Sequence, residues 1–209
     1  MYQPPHFRED GLEAQHALIR ACPLGTLVTS GAEGLEANHV PFLIDPSASP
    51  NGTLRAHLAR ANEQGRVPES DALVIFQGPE SYVTPSWYAT KRETGKVVPT
   101  WNYAAVHAWG RMRVIDDAVW LRRFLDDLTG VHEAGRPAPW SVGDAPDAFV
   151  TAQLKGIVGI EIEIERIQGK WKVSQNRPEA DKRGVHDGIR NENTGMAALV
   201  AAYGRLDVS

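Results

Sequence analysis

One cysteine, Cys22, stands in 209 residues, so no disulfide can form within the chain, and a reducing compartment suits it. Cys22 follows Leu18 and Ile19 at helical spacing and reads as a small buried apolar residue rather than a nucleophile. No stretch approaches the ~18 consecutive apolar residues of a bilayer span, and the opening MYQPPHFRED lacks the basic start and apolar centre of a secretory signal. The expectation is a cytoplasmic protein with no membrane partner. Neither sign of charge dominates: 22 Lys and Arg face 26 Asp and Glu, a net charge of −4. Such a field repels a polyanion, so DNA could be met only indirectly or through a local basic patch. The candidate patch is Lys170, Lys172, Arg177, Lys182, Arg183 and Arg190, but Glu161, Glu163, Glu165, Glu179 and Asp181 interrupt it, as on an ordinary solvated face.

The familiar catalytic signatures are missing too. There is no glycine fingerprint between a strand and a helix, no P-loop, no G-x-S-x-G elbow, and no His pair at i, i+4 with a Glu for zinc. His132-Glu133 is an incomplete metal pair at a helix end. No internal repeat or low-complexity run occurs. What is present, 42% hydrophobic and 23% charged residues, is the composition of an ordered globular protein. At this length we expect a single domain over 1–209, with a helical extension from about residue 184.

The punctuation is that of a mainly β chain with flanking helices, an α+β antiparallel meander or barrel. A helix is expected from Asp10 to Cys22, ended by Pro23-Leu24-Gly25. Short strands follow at Gly25–Ser30, Leu35–Ile44, Thr53–His57, Ala72–Gln77 and Ser81–Thr84, rich in Val, Ile, Leu, Phe and Thr and separated by Gly, Pro, Asn and Ser. Tyr103–Ile115 reads as one long strand in which Gly110 marks a bulge or a close backbone approach. From Asp116 an amphipathic helix places Val119 or Trp120, Leu121, Phe124, Leu128 and Val131 on one side, capped by Asp116 or Asp117. A loop over Pro137–Pro146 leads to a second helix, Pro146–Lys155. In Ile157–Ile167, isoleucines alternate with Glu161, Glu163 and Glu165, giving one face to core and one to water. Gln168-Gly169 then reads as a tight turn into Lys170–Gln175, making Ile157–Gln175 a hairpin.

The chemistry gathers in two places. Thr84-Pro85-Ser86-Trp87-Tyr88 and Pro99-Thr100-Trp101-Asn102-Tyr103 set aromatic and hydroxyl side chains at strand ends, which suits a planar aromatic ligand with a polar rim. Asn38-His39-Val40-Pro41 lies within a strand, and His57-Leu58-Ala59-Arg60-Ala61-Asn62 leaves one. Without a glycine nest, a phosphate must be held by side-chain donors, which His57, Arg60 and Asn62 could supply from one short segment. Surface polar residues leaving a strand are the equal alternative. Trp87, Trp101 and Trp109 read more readily as core or interface anchors than as ring contacts, and Ser174-Gln175-Asn176 reads equally as a barrel-closing network or a ligand contact.

On these words the chain resembles the PaiB-like family, the FMN-binding negative transcriptional regulators. The matching pieces are MYQPPHF, Asn38 to Leu43, His57 to Asn62, Val74 to Pro79, Tyr82 to Tyr88, Val98 to Tyr103 with Val106 and His107, and Gly169 to Asn176. The resemblance implies an antiparallel split β-barrel of the FMN-binding type, related to pyridoxamine-phosphate oxidases, in which two identical subunits bury FMN at their interface. It implies that Asn38, His39, Val40 and Pro41, with His57, Leu58, Arg60 and Asn62, hold the phosphate and ribityl chain. It places Thr84, Ser86, Trp87, Thr100, Trp101 and Asn102 nearer the ring or the dimer seam. After Asn62 the sequence departs from the family pattern, with Glu63 and Gly65 where Pro and Trp are usual. The output expected is regulatory. The alternative is an FMN-dependent oxidoreductase, with His107 and Tyr103 as proton handlers, and a third reading is a structural dimer without FMN.

Overall fold

The computed structural model describes residues 1–31, 34–67 and 69–207. Among the described residues, eight strands and six α-helices follow in the order β1 (Arg8–Glu9), α1 (Leu12–Ala21), β2 (Leu24–Gly31), β3 (Gly34–Pro41), β4 (Leu43–Asp45), β5 (Thr53–Ala59), β6 (Glu69–Val83), α2 (Ala89–Thr94), β7 (Thr100–Ile115), α3 (Ala118–Glu133), α4 (Asp147–Leu154), β8 (Ile157–Lys172), α5 (Glu179–Ile189) and α6 (Thr194–Gly204). The strands form one antiparallel sheet, ordered β3-β2-β6-β7-β8-β5-β4, with β1 added on β8. The architecture is the expected α+β one. The chain divides into two compact units, both discontinuous in sequence: Ile19–Phe76 with Ala108–Ile167, and Met1–Leu18 with Gln77–His107 and Gln168–Ser209.

In the first unit the strands obey period-two burial. Leu27, Leu54, Ala56, Val74, Phe76, Ile160 and Ile162 are sealed from solvent while the residues between them face outward, so one face of the sheet is core. The expected strand Leu35–Ile44 is broken at Phe42. That ring is buried, packs edge-on against Phe76 at 5.7 Å, and its N–H donates to Pro23 O at 2.9 Å. The break carries the chain from β3, at one end of the ladder, to β4, at the other. The ladder therefore stays open in hydrogen bonds, and its two end strands are joined covalently through one residue. Helix α3 begins where Asp117 accepts hydrogen bonds from the N–H groups of Val119 and Trp120, which satisfies donors left over by the first turn. Leu121 and Phe124 enter the core and Val119 stays exposed. Trp120 stacks on Phe124 at 5.3 Å and occupies the space that a side chain at Gly159 would need, 2.3 Å from that missing Cβ. Gly110 marks a close backbone approach, since a Cβ there would lie 2.0 Å from Glu163 O.

In the second unit two expected turns are absent. Gly78-Pro79 does not separate two strands, because β6 runs unbroken from Glu69 to Val83. Gly78 is there for space: a Cβ would stand 2.9 Å from Leu18 Cδ1 and 3.3 Å from Ala104 O. Gln168-Gly169 is no hairpin turn either, because β8 continues to Lys172 and Gly169 pairs with Glu9 of β1. A Cβ at Gly169 would meet Glu9 O at 2.8 Å. Both glycines permit close packing rather than chain reversal. The helical tail starts earlier than residue 184: α5 opens at Glu179, whose carboxylate and that of Asp181 suit the positive end of a helix. Asn193 separates α5 from α6, accepting a hydrogen bond from Met196 N and donating one to Glu80 O, both at 2.9 Å.

Candidate functional site

Alternation on β3 sorts the first group of expected contacts. Asn38 and Val40 lie opposite Leu27 and Gly25 of β2, on the core side. Asn38 donates to Gln64 Oε1 at 2.9 Å and to Glu36 Oε1 at 3.3 Å. Gln64 is itself buried and donates to Leu27 O, Thr29 Oγ1 and Glu36 O. Asn38 thus belongs to an internal amide network whose second member the sequence reading missed. His39 is exposed and Pro41 half-buried on the outer side.

On β5, Leu58 is core, and His57 turns outward against α3, its ring edge-on to Phe124 at 5.8 Å. Burial holds the imidazole below its ordinary pKa, and Nδ1 lies buried without a hydrogen-bond partner. Arg60 is exposed but occupied: it grips Asp116 with two bonds of 2.8 and 2.7 Å and donates to Lys155 O and Ile157 O at 2.9 and 3.0 Å. A phosphate can take that guanidinium's paired, fork-like donors only by displacing Asp116. Asn62 caps the 3₁₀ turn Glu63–Gly65 by accepting from Gln64 N at 2.9 Å. His57, Arg60 and Asn62 therefore serve three separate local roles rather than converging on one point. A cavity in this unit of about 790 Å³ includes Thr29, Glu36, Glu63, Gln64, Arg66 and Ser70 in its lining. Two carboxylates against one cation make it a poor seat for an anion.

In the other unit the aromatic turns are well defined. Thr84 Oγ1 accepts from Ser86 N, opening the 3₁₀ turn Pro85–Trp87. Ser86 Oγ accepts from Lys91 Nζ at 3.1 Å. Trp87 is a packing anchor, seated over the bare Cα atoms of Gly184 and Gly188 on α5. Trp101 behaves differently: it is 52% exposed and meets Tyr82, 46% exposed, edge-on at 6.0 Å. An open aromatic pair of this kind offers ring surface to a planar ligand.

In the same unit lies a small polar cavity of about 60 Å³ between Phe7 and the groups of Thr100, Asn102, Lys172, Ser174, Asn176 and Arg177. Lys172 Nζ donates to Thr100 Oγ1 and to the carbonyl of Trp101. Asn102, fully buried, exchanges hydrogen bonds with Ser174 Oγ at 3.0 and 3.2 Å. Burial, then the charges of Lys170 and Arg177, push the Lys172 ammonium below its usual pKa. Of the expected basic patch, Lys170 is buried and donates to Tyr2 O, Lys182 donates to Gly204 O, and Arg183 pairs with Glu179. His107 is half-buried, and burial lowers its pKa as well. Lys172 and Arg177, read in the sequence as members of a basic patch for DNA, line this small cavity instead. Lys-Trp-Lys was the available signal, because residues two apart on a strand share a face.

Exposed aromatic surface next to cationic and amide donors fits a flavin mononucleotide, whose ring is planar and apolar and whose tail is a polar chain ending in an anion. The fold and these groups define a protein of the split-barrel flavin-binding class. The chain belongs to the family described as "Putative FMN-binding domain", whose model matches residues 1–166, and FMN is its cofactor. It is 32% identical over 203 residues to "Protease synthase and sporulation protein PAI 2" of Bacillus subtilis, covering 96% of this chain and 95% of that one. An uncharacterized protein of Emericella nidulans is 37% identical over 238 residues, again covering 96% and 95%. Among solved structures, the FAD and heme binding protein of Mycobacterium smegmatis superposes with a TM-score of 0.59 at 16% identity, covering 79% of this chain and 73% of that chain. At that identity the likeness is one of fold. Among the described residues no helix is long and apolar enough to cross a membrane, and no group of three His, Cys, Asp or Glu could hold a metal ion.

Proposed function

We propose that the chain acts as an FMN-binding homodimer and as a flavin-linked negative regulator of transcription. The observation that carries the dimer is the outer face of β2 and β6. Val28 opposes Leu73 and Thr26 opposes Ile75, all half-exposed, while Leu27 and Val74 on the reverse face are sealed in the core. A strand apolar on both faces expects cover on both. A second copy of the chain supplies it. The regulatory reading rests on the resemblance to the PaiB-like family and on the Bacillus relative named for protease synthesis and sporulation.

Within Ile19–Phe76 and Ala108–Ile167, His39, Asn62 and an Arg60 freed from Asp116 are the groups offered to the cofactor. The other unit, taken by itself, offers Thr100 and Trp101 to a planar ligand. Asn38, Val40 and Leu58 shape the strands from behind, and Asn102, Thr84, Ser86 and Trp87 fix the turns. Pro41 and His57 flank these groups. When bound, FMN supplies one- or two-electron transfer; the chain supplies ring contact and anion donors.

The test is a flavin absorption spectrum with a light-scattering mass, followed by a reporter assay with and without flavin. Bound FMN, twice the 22.9 kDa chain mass, and repression that depends on flavin support the proposal. A colourless protein of single-chain mass refutes it. Leu73→Glu is expected to split the dimer. The oxidoreductase reading draws on His107, kept neutral at pH 7 by burial and so able to accept a proton. FMN-dependent oxidation of NAD(P)H that is lost in His107→Phe would favour it.

A further inference from the structure

We propose that the turn after β8 builds an oxyanion pocket, in which Lys172, Arg177, Ser174 and Asn176, with Thr100 and Asn102, bind a single phosphate group. The group is either the phosphate of a monoester such as FMN or a free phosphate. The inference goes beyond flavin binding and stands whether or not FMN occupies the chain.

Size comes first. The cavity of about 60 Å³ is several times the ~10–15 Å³ of probe space that one water needs, room for a small tetrahedral oxyanion. Charge comes second. Among the described residues neither Lys172, Lys170 nor Arg177 pairs with a carboxylate: Lys172 meets Thr100 and the Trp101 carbonyl, Lys170 meets Tyr2 O, and Arg177 lies over the Tyr88 ring at 4.9 Å. No acidic residue lines the cavity. Cations gathered in a half-buried place without a counter-ion destabilise one another; an anion reverses the sign of that interaction. Donor supply is third. Lys172 has three N–H groups and spends two, and the guanidinium, hydroxyl and amide groups add more.

Backbone strain gives independent support. Ser174 is buried at 4% exposure and takes φ +66°, a left-handed conformation that few side chains adopt. Its carbonyl accepts Arg177 N–H at 2.9 Å, and Gln175 Oε1 accepts Val173 N–H at 2.8 Å. The turn is thus locked from within, presenting Ser174 Oγ, Lys172 and Arg177 to the same small space. A network meant only to close the unit would work as well with neutral amides. The cations are what it does not require.

The experiment uses inorganic phosphate as the probe, with thermal melts and phosphorus NMR line-broadening at constant ionic strength against chloride. Wild type is expected to melt higher with phosphate, since a ligand of the native state stabilises it. Lys172→Met and Arg177→Gln are expected to weaken phosphate binding at least tenfold. If either variant fails to fold, Ser174→Gly removes the lining hydroxyl; whatever its own melting temperature once Asn102 has lost its partner, it should gain less from phosphate than wild type. No effect of phosphate on wild type, or an undiminished effect in the variants, overturns the proposal. Saturation with FMN, and separately with riboflavin, which lacks the phosphate, identifies the source. If FMN abolishes the phosphate response and riboflavin does not, the pocket holds the flavin's phosphate; if both leave it intact, it holds a free one. A protein that binds no FMN would sink the flavin reading and leave the phosphate arm to be judged alone.

Discussion

Two glycine-to-alanine substitutions in helices are expected to move stability in opposite directions. In general Gly→Ala in a helix interior is favourable by about 1 kcal/mol. Gly130, in the last turn of α3, has nothing within 4 Å of an added Cβ, so Gly130→Ala gains that amount undiminished. Gly184 of α5 is different. Its added Cβ would lie 2.0 Å from Trp87 O and 3.2 Å from Trp87 C, well inside the ~3.5 Å at which carbon contacts become attractive. The obstacle is backbone, held in the Pro85–Trp87 turn by Thr84 and by Tyr88 N–H bonding Pro85 O, and cannot rotate away as a side chain would. The turn must retreat by more than ~1 Å, an overpacking cost of about 1–3 kcal/mol and occasionally more. Subtracting the helical gain leaves Gly184→Ala destabilised by up to about 2 kcal/mol. A chain of this length shifts by ~2–4 °C per kcal/mol, so Gly184→Ala should melt several degrees below wild type and Gly130→Ala several degrees above. Circular-dichroism melts in one buffer decide it. If Gly184→Ala melts at or above Gly130→Ala, the close seat of Trp87 on α5 is wrong, and so is the reading of Trp87 as a packing anchor.

Three further outcomes follow from single contacts. Asp181 is 1% exposed and accepts both Thr90 N–H and Thr90 Oγ1–H at 2.9 Å. Asp181→Ala strands those donors and should cost about 2–3 kcal/mol in a urea titration, whereas an unchanged midpoint would show the pair contributes nothing. Burial holds His57 below its ordinary 6.5, so below pH 6.5 the unfolded imidazole takes up a proton that the folded one refuses, and stability falls as pH falls through that window. His57→Phe should flatten the slope, and a slope equal to wild type refutes the assignment. Asp116→Ala frees two donors of Arg60 and is expected to tighten FMN binding severalfold in a fluorescence titration. Unaltered affinity would remove Arg60 from the cofactor's contacts.

Strand positions were legible in the sequence because burial on one face writes period two into it: Ile160, Ile162 and Ile164 are core and Glu163 and Glu165 are exposed. Strand ends were less so. Gly78 and Gly169 were read as turns because a glycine in a sequence does not reveal whether it is needed for backbone freedom or for space. The neighbours that settle it, Ala104 and Glu9, are distant along the chain. The polar site suffers the same limit more severely. His57, Arg60 and Asn62 form a plausible clasp by spacing, but whether an arginine is available depends on what else it meets, and Asp116 lies 56 residues away. Lys172 and Thr100, separated by 72 positions, come together only through the pairing of long strands. Donor types can be read from a sequence, then, while their commitments cannot.

That distinction also bears on how a regulator of this kind would reach DNA. A basic patch attracts phosphate backbones only if its cations stand free in water. Lys170 and Lys172 are turned inward, Lys182 is tied to Gly204 O, and Arg183 shares its charge with Glu179. Four of the six residues of the candidate basic patch are thereby withdrawn from any outward-facing stripe, on a chain whose net charge is already −4. Under the regulatory function proposed above, electrostatics accordingly favours an indirect route through a partner. A salt-sensitive shift of promoter DNA by the purified protein alone, absent with random DNA, would overturn that order of events, because counter-ion release requires cations these residues do not offer.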